Sequence, residues 1–117
     1  MQVFLSAKLP AAGVSVNFDA LSNRYPPAKA LQMILRKALD DYEVSLSDGT
    51  FAAAPQTYPT GGESIVQTSR IMAQTLLDKA RSHFDPLGFE STRAFGLNLA
   101  TAALALFFKN EAKRRAR

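Results

Sequence analysis

The sequence predicts a mainly α-helical protein with a short N-terminal β-strand or hairpin and a helical hairpin at the C-terminus. Residues 2 to 9 alternate between apolar and other side chains, which is the period of a strand. Two later stretches carry apolar side chains at the three- and four-residue spacing of helices. The chain has 117 residues and no cysteine. We therefore expect one domain without disulfides, thiol catalysis or zinc-thiolate sites, which fits a reducing compartment.

The first strand is expected from Gln2 to Leu9. Its two faces separate Val3, Leu5, Ala7 and Leu9 from Gln2, Phe4, Ser6 and Lys8. Pro10 and Gly13 end it, because proline cannot donate a ladder hydrogen bond and glycine favours a turn. Residues 14 to 25 fit either the second strand of a hairpin or a short helix.

A long helix is predicted from Pro27 to Val44. The residue before a proline is disfavoured in the helical region, so Pro26-Pro27 marks its start. Residues 47 to 63 contain two prolines, three glycines and three threonines and are predicted to be a linker. This divides the chain into a strand-plus-helix module (1–46), the linker, and a helical hairpin with a basic tail (64–117), which we expect to form one compact domain. No internal repeat is visible in the residue spacing.

The C-terminal hairpin is predicted to begin with a helix that Ser64 caps. Its apolar stripe contains Ile65, Val66, Met72, Leu76, Leu77, Ala80 and Phe84. Residues 85 to 88 read Asp-Pro-Leu-Gly, which indicates a turn. Ser91 or Thr92 can then cap a second helix that runs towards Lys113.

The last helix is apolar on nearly every face between Phe95 and Phe108. Such a helix is normally buried, and a chain this small offers little to surround it. We therefore predict self-association, most simply as a homodimer, with an interface of Leu97, Leu104, Phe107 and Phe108. Residues 94 to 108 are shorter than the roughly 20 residues that cross a bilayer, so membrane association is not expected. The N-terminus has no signal-peptide pattern, and we expect a cytoplasmic protein.

No constellation of catalytic residues is recognisable. His83 is the single histidine, and its position near a helix end is ordinary. The three acidic residues among positions 40 to 43 diverge around a helix and do not converge on a metal. Residues 60 to 64 lack the lysine of a phosphate-binding loop. We therefore expect a non-enzymatic protein with no catalytic residue, metal site or cofactor.

The net charge of +4 comes entirely from the last nine residues. Residues 1 to 108 hold nine basic and nine acidic side chains, whereas residues 109 to 117 hold five basic and one acidic. Clustered cations bind phosphate backbones through counterion release. Two alternatives remain open, because cations also complement a helix C-terminus and keep an apolar helix soluble. The candidate tail residues are Lys113, Arg114, Arg115 and Arg117.

Residues 3 to 9 (VFLSAKL) and 30 to 39 (ALQMILRKAL) resemble the ribbon-helix-helix family of dimeric DNA-binding proteins, which includes plasmid-partition adaptors and repressors. The resemblance implies an intertwined dimer in which the strand pairs with its copy and its outward side chains read bases. It also implies that the start of the second helix contacts phosphate through backbone amides. Three features depart from the family: Phe4 lies on the reading face, the first helix is short and poorly patterned, and Pro26-Pro27 occupies the phosphate-contact turn. The candidate nucleic-acid residues outside the tail are Gln2, Ser6, Lys8 and Lys29.

The leading hypothesis is a small dimeric nucleic-acid-binding protein, acting as a regulator or a partition-type adaptor. The alternative is a non-enzymatic assembly or structural subunit whose apolar C-terminal helices pack against partner subunits. A small enzyme with a tunnel at a dimer interface is a third possibility. The identity of any protein partner is left open.

Overall fold

The two halves of the chain repeat one order of elements: a strand, a shorter helix and a long helix. In the computed structural model, which describes residues 1–50 and 57–115, the first half holds β1 (Gln2–Pro10), α1 (Val16–Leu21) and α2 (Pro27–Asp48). The second half holds β2 (Thr60–Ile71), α3 (Gln74–Phe84) and α4 (Thr92–Arg115). The described chain is thus mainly helical, with an N-terminal strand in a two-stranded sheet and a C-terminal helical hairpin, as the sequence predicts.

The two strands pair antiparallel within the single chain. Gln2 lies opposite Ile71, and the register continues to Lys8 opposite Ile65. The expectation that the ribbon forms from β1 and its copy in a second chain is therefore wrong, because β2 of the same chain takes the place of that copy. The helix predicted from Ser64 is also wrong in its first part, since residues up to Ile71 are extended. Several of these residues are β-branched, which favours a strand, and their chance helical spacing concealed it.

Local capping explains where the helices begin and end. The Phe18 amide donates to Ser15 Oγ at 3.1 Å, which starts α1 in the stretch where the sequence left a strand or helix open. The Ala94 amide donates to Ser91 Oγ at 3.1 Å, which confirms the predicted cap of α4. Helix α2 continues four residues past the predicted end and stops at Gly49, whose φ of 72° is left-handed. The predicted linker is thereby shortened at both ends, and its residues 51 to 56 lie outside the described part.

One hydrophobic core draws on both halves of the chain. The inward face of β1 packs on α4, and α2 packs on the same helix. Leu104 and Phe108 are 0% and 4% exposed in the single chain. These two members of the predicted oligomer interface are therefore core residues, while Leu97 and Phe107 are half-buried. Much of the cover of α4 thus comes from distant parts of the same chain, which the sequence does not reveal, and self-association stays a prediction.

Helix α4 approaches the backbone of β1 very closely at Gly96. A Cβ atom at this position would lie 3.1 Å from the Phe4 carbonyl carbon and would overlap its oxygen. Glycine is thus required where the helix crosses the strand. Among the helices that the structure describes, none combines the length and apolarity needed to cross a membrane.

The carboxyl end of α4 is fixed to the start of α1 by a buried carboxylate. Glu111 is 8% exposed and accepts a hydrogen bond from Ser15 Oγ at 2.7 Å. Its second oxygen accepts from the Asn17 amide at 3.1 Å. A carboxylate at a helix N-terminus satisfies free amides and complements the helix dipole. Glu111 therefore has a structural role, although it belongs to the basic tail in the sequence.

We expect Glu111→Ala to lower the free energy of unfolding by about 2 kcal/mol, because the buried Ser15 hydroxyl and the part-buried Asn17 amide lose a charged acceptor. Chemical denaturation followed by circular dichroism measures the change. Glu90→Ala removes the same charge from an exposed position and should stay within about 0.5 kcal/mol of the parent. Equal stability of the two variants would contradict this role of Glu111.

Candidate nucleic-acid interface

The sheet has one face packed on the helices and one open face. Directly opposite residues of an antiparallel pair project from the same side, so the register defines both faces. Val3, Leu5 and Ala7 of β1 and Val66 of β2 are buried on the packed side. We call the open side the ribbon face, and it consists of Gln2, Phe4, Ser6 and Lys8 from β1 with Ile71, Ser69, Gln67 and Ile65 opposite them in that order.

The ribbon face combines hydrogen-bonding and apolar side chains. Gln2 Nε2 donates across the strands to Ser69 Oγ at 3.2 Å. Ser6 lies opposite Gln67, which is exposed. Between and beside these groups, Phe4 is 63% exposed and Ile71 is 79% exposed. Amides and hydroxyls can bond to base edges, and apolar side chains can contact thymine methyl groups. A two-stranded ribbon is also narrow enough to enter the major groove of DNA.

A pocket on the ribbon face brings in a cation from α4. This pocket of about 230 Å³ is lined by Phe4, Ser6 and Gln67 together with Arg93. Arg93 is the second residue of α4, and the approach at Gly96 holds this end of the helix against β1. A positive charge therefore lies beside the hydrogen-bonding side chains of the ribbon.

A second groove, of about 360 Å³, runs along the other edge of the ribbon between β2 and α2. Lys29 and Arg36 contribute the cations of its α2 side, and both are exposed. Gln32 Nε2 donates to the Gln67 carbonyl at 3.1 Å, which ties the helix to the strand. The ribbon face is thus flanked by basic side chains from α2 on one edge and from α4 on the other.

Arg70 is a basic residue of β2 that does not contribute to the ribbon face. It lies on the packed side, opposite Val3, and bonds to Glu43 and to Asp40, the latter at 2.6 Å. Both carboxylates belong to α2. Arg70 therefore anchors β2 to α2, and its charge is balanced there.

The sequence-predicted residues fall into two separate regions. Gln2, Ser6 and Lys8 lie on the ribbon face, and Lys29 lies in the adjoining groove. Lys8 Nζ is 3.9 Å from a carboxylate oxygen of the exposed Glu63. The structure thus places these four residues around one surface.

The basic tail lies elsewhere. Lys113 and Arg114 are exposed at the far end of α4, and Arg115 is the last residue of that helix. At 1.5 Å per residue, Lys113 is about 25 Å along the helix axis from the crossing at Gly96. Arg117 lies outside the described residues. The tail and the ribbon face are therefore distinct surfaces.

Sequence reasoning missed the residues of the ribbon face that come from the second half of the chain. Gln67 and Ser69 were assigned to a helix, and Arg93 was not singled out. The β-branched residues Ile65, Val66 and Thr68 were the available signal for a strand. No local signal indicates that Arg93 meets the ribbon, because β1 and α4 are far apart in the sequence.

The comparisons with known proteins correct the expected family. The family model that matches is that of the VirC2 protein, over residues 1–116, and not a ribbon-helix-helix family. The VirC2 proteins of Rhizobium radiobacter and Agrobacterium fabrum are each 57% identical to this chain, over 115 and 116 residues respectively. In both cases the match covers 95% of this chain but 57% of the relative, so the chain spans little more than half their length.

A solved structure agrees with this assignment. The crystal structure of plasmid pTiC58 VirC2 superposes on the chain with a TM-score of 0.94 and 53% sequence identity. The match covers 98% of this chain and 99% of the solved one. With a family model matching almost every residue and a solved relative of the same fold, the chain belongs to the VirC2 family.

Proposed function

We propose that this protein binds double-stranded DNA by placing its ribbon face in the major groove. The observation that carries the proposal is the open side of the sheet, where amide and hydroxyl side chains of both strands lie between two basic edges. Gln67 and Gln2 supply amide groups of the kind that pairs with adenine. The binding is non-enzymatic, and a cytoplasmic location is part of the proposal.

The basic edges supply the contacts to phosphate. A ribbon in the major groove has a sugar-phosphate backbone on either side of it. Lys29 and Arg36 line the edge beside β2, and Arg93 is at the start of α4 beside β1. Phosphate contacts of this kind position a protein on DNA without specifying sequence.

Phe4 is consistent with this role. From the sequence alone, an aromatic side chain on the reading face argued against DNA binding. Three large apolar side chains, Phe4, Ile65 and Ile71, are more than half exposed on a face that also carries amides and hydroxyls. Contact with thymine methyl groups would remove part of their surface from water. The exposed apolar groups are then part of the binding surface.

We assign the basic tail a secondary part. Lys113 and Arg114 are exposed but distant from the ribbon face, so they can add non-specific attraction to phosphate without contacting the same base pairs. Removing residues 109 to 117 would be a poor test of this, because it also removes the buried Glu111. Lys113→Gln with Arg114→Gln is the appropriate variant.

The proposal is tested by fluorescence anisotropy with a labelled duplex of about 20 base pairs, chosen only to be longer than the ribbon. Four phosphate contacts, from Lys8, Lys29, Arg36 and Arg93, predict a slope of log affinity against log salt of about −3.6. Raising salt from about 50 to 200 mM should then weaken binding about a hundredfold. Absence of binding at the lower salt, or binding insensitive to salt, would contradict the proposal.

Single substitutions locate the surface. Lys29→Ala and Arg93→Ala should each make the salt slope shallower by about 0.9, because each removes one phosphate contact. Lys79→Ala is the control, since this exposed lysine donates to the Ser47 carbonyl and lines neither pocket of the ribbon. An equal effect of all three substitutions would show that attraction depends on net charge and not on this surface.

A further inference from the structure

Both strands of the ribbon come from one chain, so the two strands differ in sequence. We infer that one copy of this protein recognises a DNA site without two-fold symmetry and lies on it in a single orientation. The inference rests on the proposed function and adds the symmetry of the target and the number of chains bound. It follows from the register of the two strands and from the side chains that they present.

A ribbon built from two identical strands would have an exact two-fold axis through its centre. In this chain, a two-fold axis through the middle of the four outward pairs would exchange Gln2 with Ile65 and Phe4 with Gln67. It would likewise exchange Lys8 with Ile71, and only Ser6 and Ser69 would be exchanged for the same residue type. The backbone is therefore arranged as in a symmetric ribbon, but its chemistry is not symmetric.

The two edges differ in the same way. The edge along β2 has Lys29 and Arg36 in a groove of about 360 Å³. The edge along β1 has Arg93, in a pocket of about 230 Å³ that opens on the ribbon face. Turning the protein by 180° on the DNA would move both sets of cations to the opposite backbone.

Operator symmetry mirrors protein symmetry, which is why dimers with identical reading elements recognise palindromic sites. A ribbon without two-fold symmetry gains no affinity from a palindromic site, because each half-site would face different side chains. In the reversed orientation, Ile65 would face the base edges that Gln2 faces in the favoured one, and Ile71 would stand where Lys8 contacts phosphate. Each lost bidentate pair lowers affinity about tenfold, so the two orientations should differ at least that much.

The first experiment selects bound duplexes from a random-sequence library and measures the mass of the complex formed on the preferred site. We expect a preferred sequence that lacks dyad symmetry and a complex containing one chain. A palindromic sequence, two chains per site, or binding without sequence preference would each overturn this inference and leave the proposed function standing. Absence of binding to any duplex at about 50 mM salt would overturn both.

The second experiment exchanges two side chains across the central axis. The double variant Phe4→Gln and Gln67→Phe has the composition and net charge of the parent, and both positions are exposed. Its salt slope should match the parent's, while its preference at the central base pairs should change so that the parent's site binds about tenfold more weakly. An unchanged preference in a folded variant would overturn the inference.

Orientation is measured directly with a single attached cleavage reagent. The chain has no cysteine, so Ser64→Cys, which is exposed beside the Lys8 and Ile65 end of the ribbon, provides one attachment point. An iron chelate at this position should cleave the preferred duplex on one side of the site. Equal cleavage on both sides would show two orientations and overturn the inference.

Discussion

Replacing Gly96 with alanine is expected to lower the free energy of unfolding by about 3 kcal/mol or more, although alanine is the better helix former. The added Cβ would overlap the Phe4 carbonyl oxygen and lie 3.4 Å from the Leu5 Cα, and both are backbone atoms that cannot rotate away. Helix α4 would have to move off β1 along its contact with the sheet. Denaturant unfolding followed by circular dichroism measures the loss.

The matched control for this prediction is Asn98→Ala in the same helix. Asn98 is exposed, so its replacement adds helix propensity without a steric cost and should change stability by less than about 0.5 kcal/mol. A gain of stability in Gly96→Ala, as helix propensity alone predicts, would show that α4 does not approach β1 this closely. A similar loss of stability in both variants would indicate that α4 is sensitive to substitution in general.

The same contact links stability to the candidate interface. Arg93 lies one turn before Gly96 and reaches the ribbon face only while α4 is held against β1. A variant that displaces α4 should therefore weaken DNA binding as well, even under conditions where it remains folded. Gly96 therefore determines where the Arg93 cation lies, although Gly96 does not itself contact it.

The strand β1 could be predicted from the sequence because its signal is local. Its alternation from Gln2 to Lys8 gives the period of a strand, and the residues that it turns outward can be read directly. The helix α2 could be predicted for the same reason, from its apolar spacing and the proline at its start. The residues that β1 contributes to the ribbon face could therefore be predicted without a structure.

The other half could not be predicted because it depends on pairing between distant residues. Gln67 and Ser69 reach the ribbon face only through the pairing of β2 with β1, some 60 residues earlier in the sequence. Their own segment carries Ile65, Val66 and Met72 at a spacing that fits an apolar helical stripe equally well. Short apolar runs are ambiguous between strand and helix, and here a tertiary contact decided between them.

The burial of Leu104 also depends on contacts between distant residues, and it can be tested by substitution. Leu104→Ala is expected to lower the free energy of unfolding by about 2 to 5 kcal/mol, because Leu104 is 0% exposed and its removal leaves a cavity in the core. Leu97→Ala, in the same helix but half-buried, should cost less than half as much. Denaturant unfolding gives both values, and analytical ultracentrifugation gives the size of each folded variant.

These measurements separate a core position from an interface position. If Leu104 packs inside one chain, its loss lowers stability by the same amount at every protein concentration and leaves the sedimentation coefficient of the folded protein unchanged. If Leu104 packed against a second copy, the stability of the parent would depend on protein concentration. The Leu104→Ala variant would then sediment more slowly than the parent. Concentration-dependent stability of the parent that is lost in Leu104→Ala would therefore contradict the packing of α4 within a single chain. The contrast with Leu97 matters because the sequence analysis placed both residues in one interface, whereas the structure buries Leu104 in the core and leaves Leu97 half-buried.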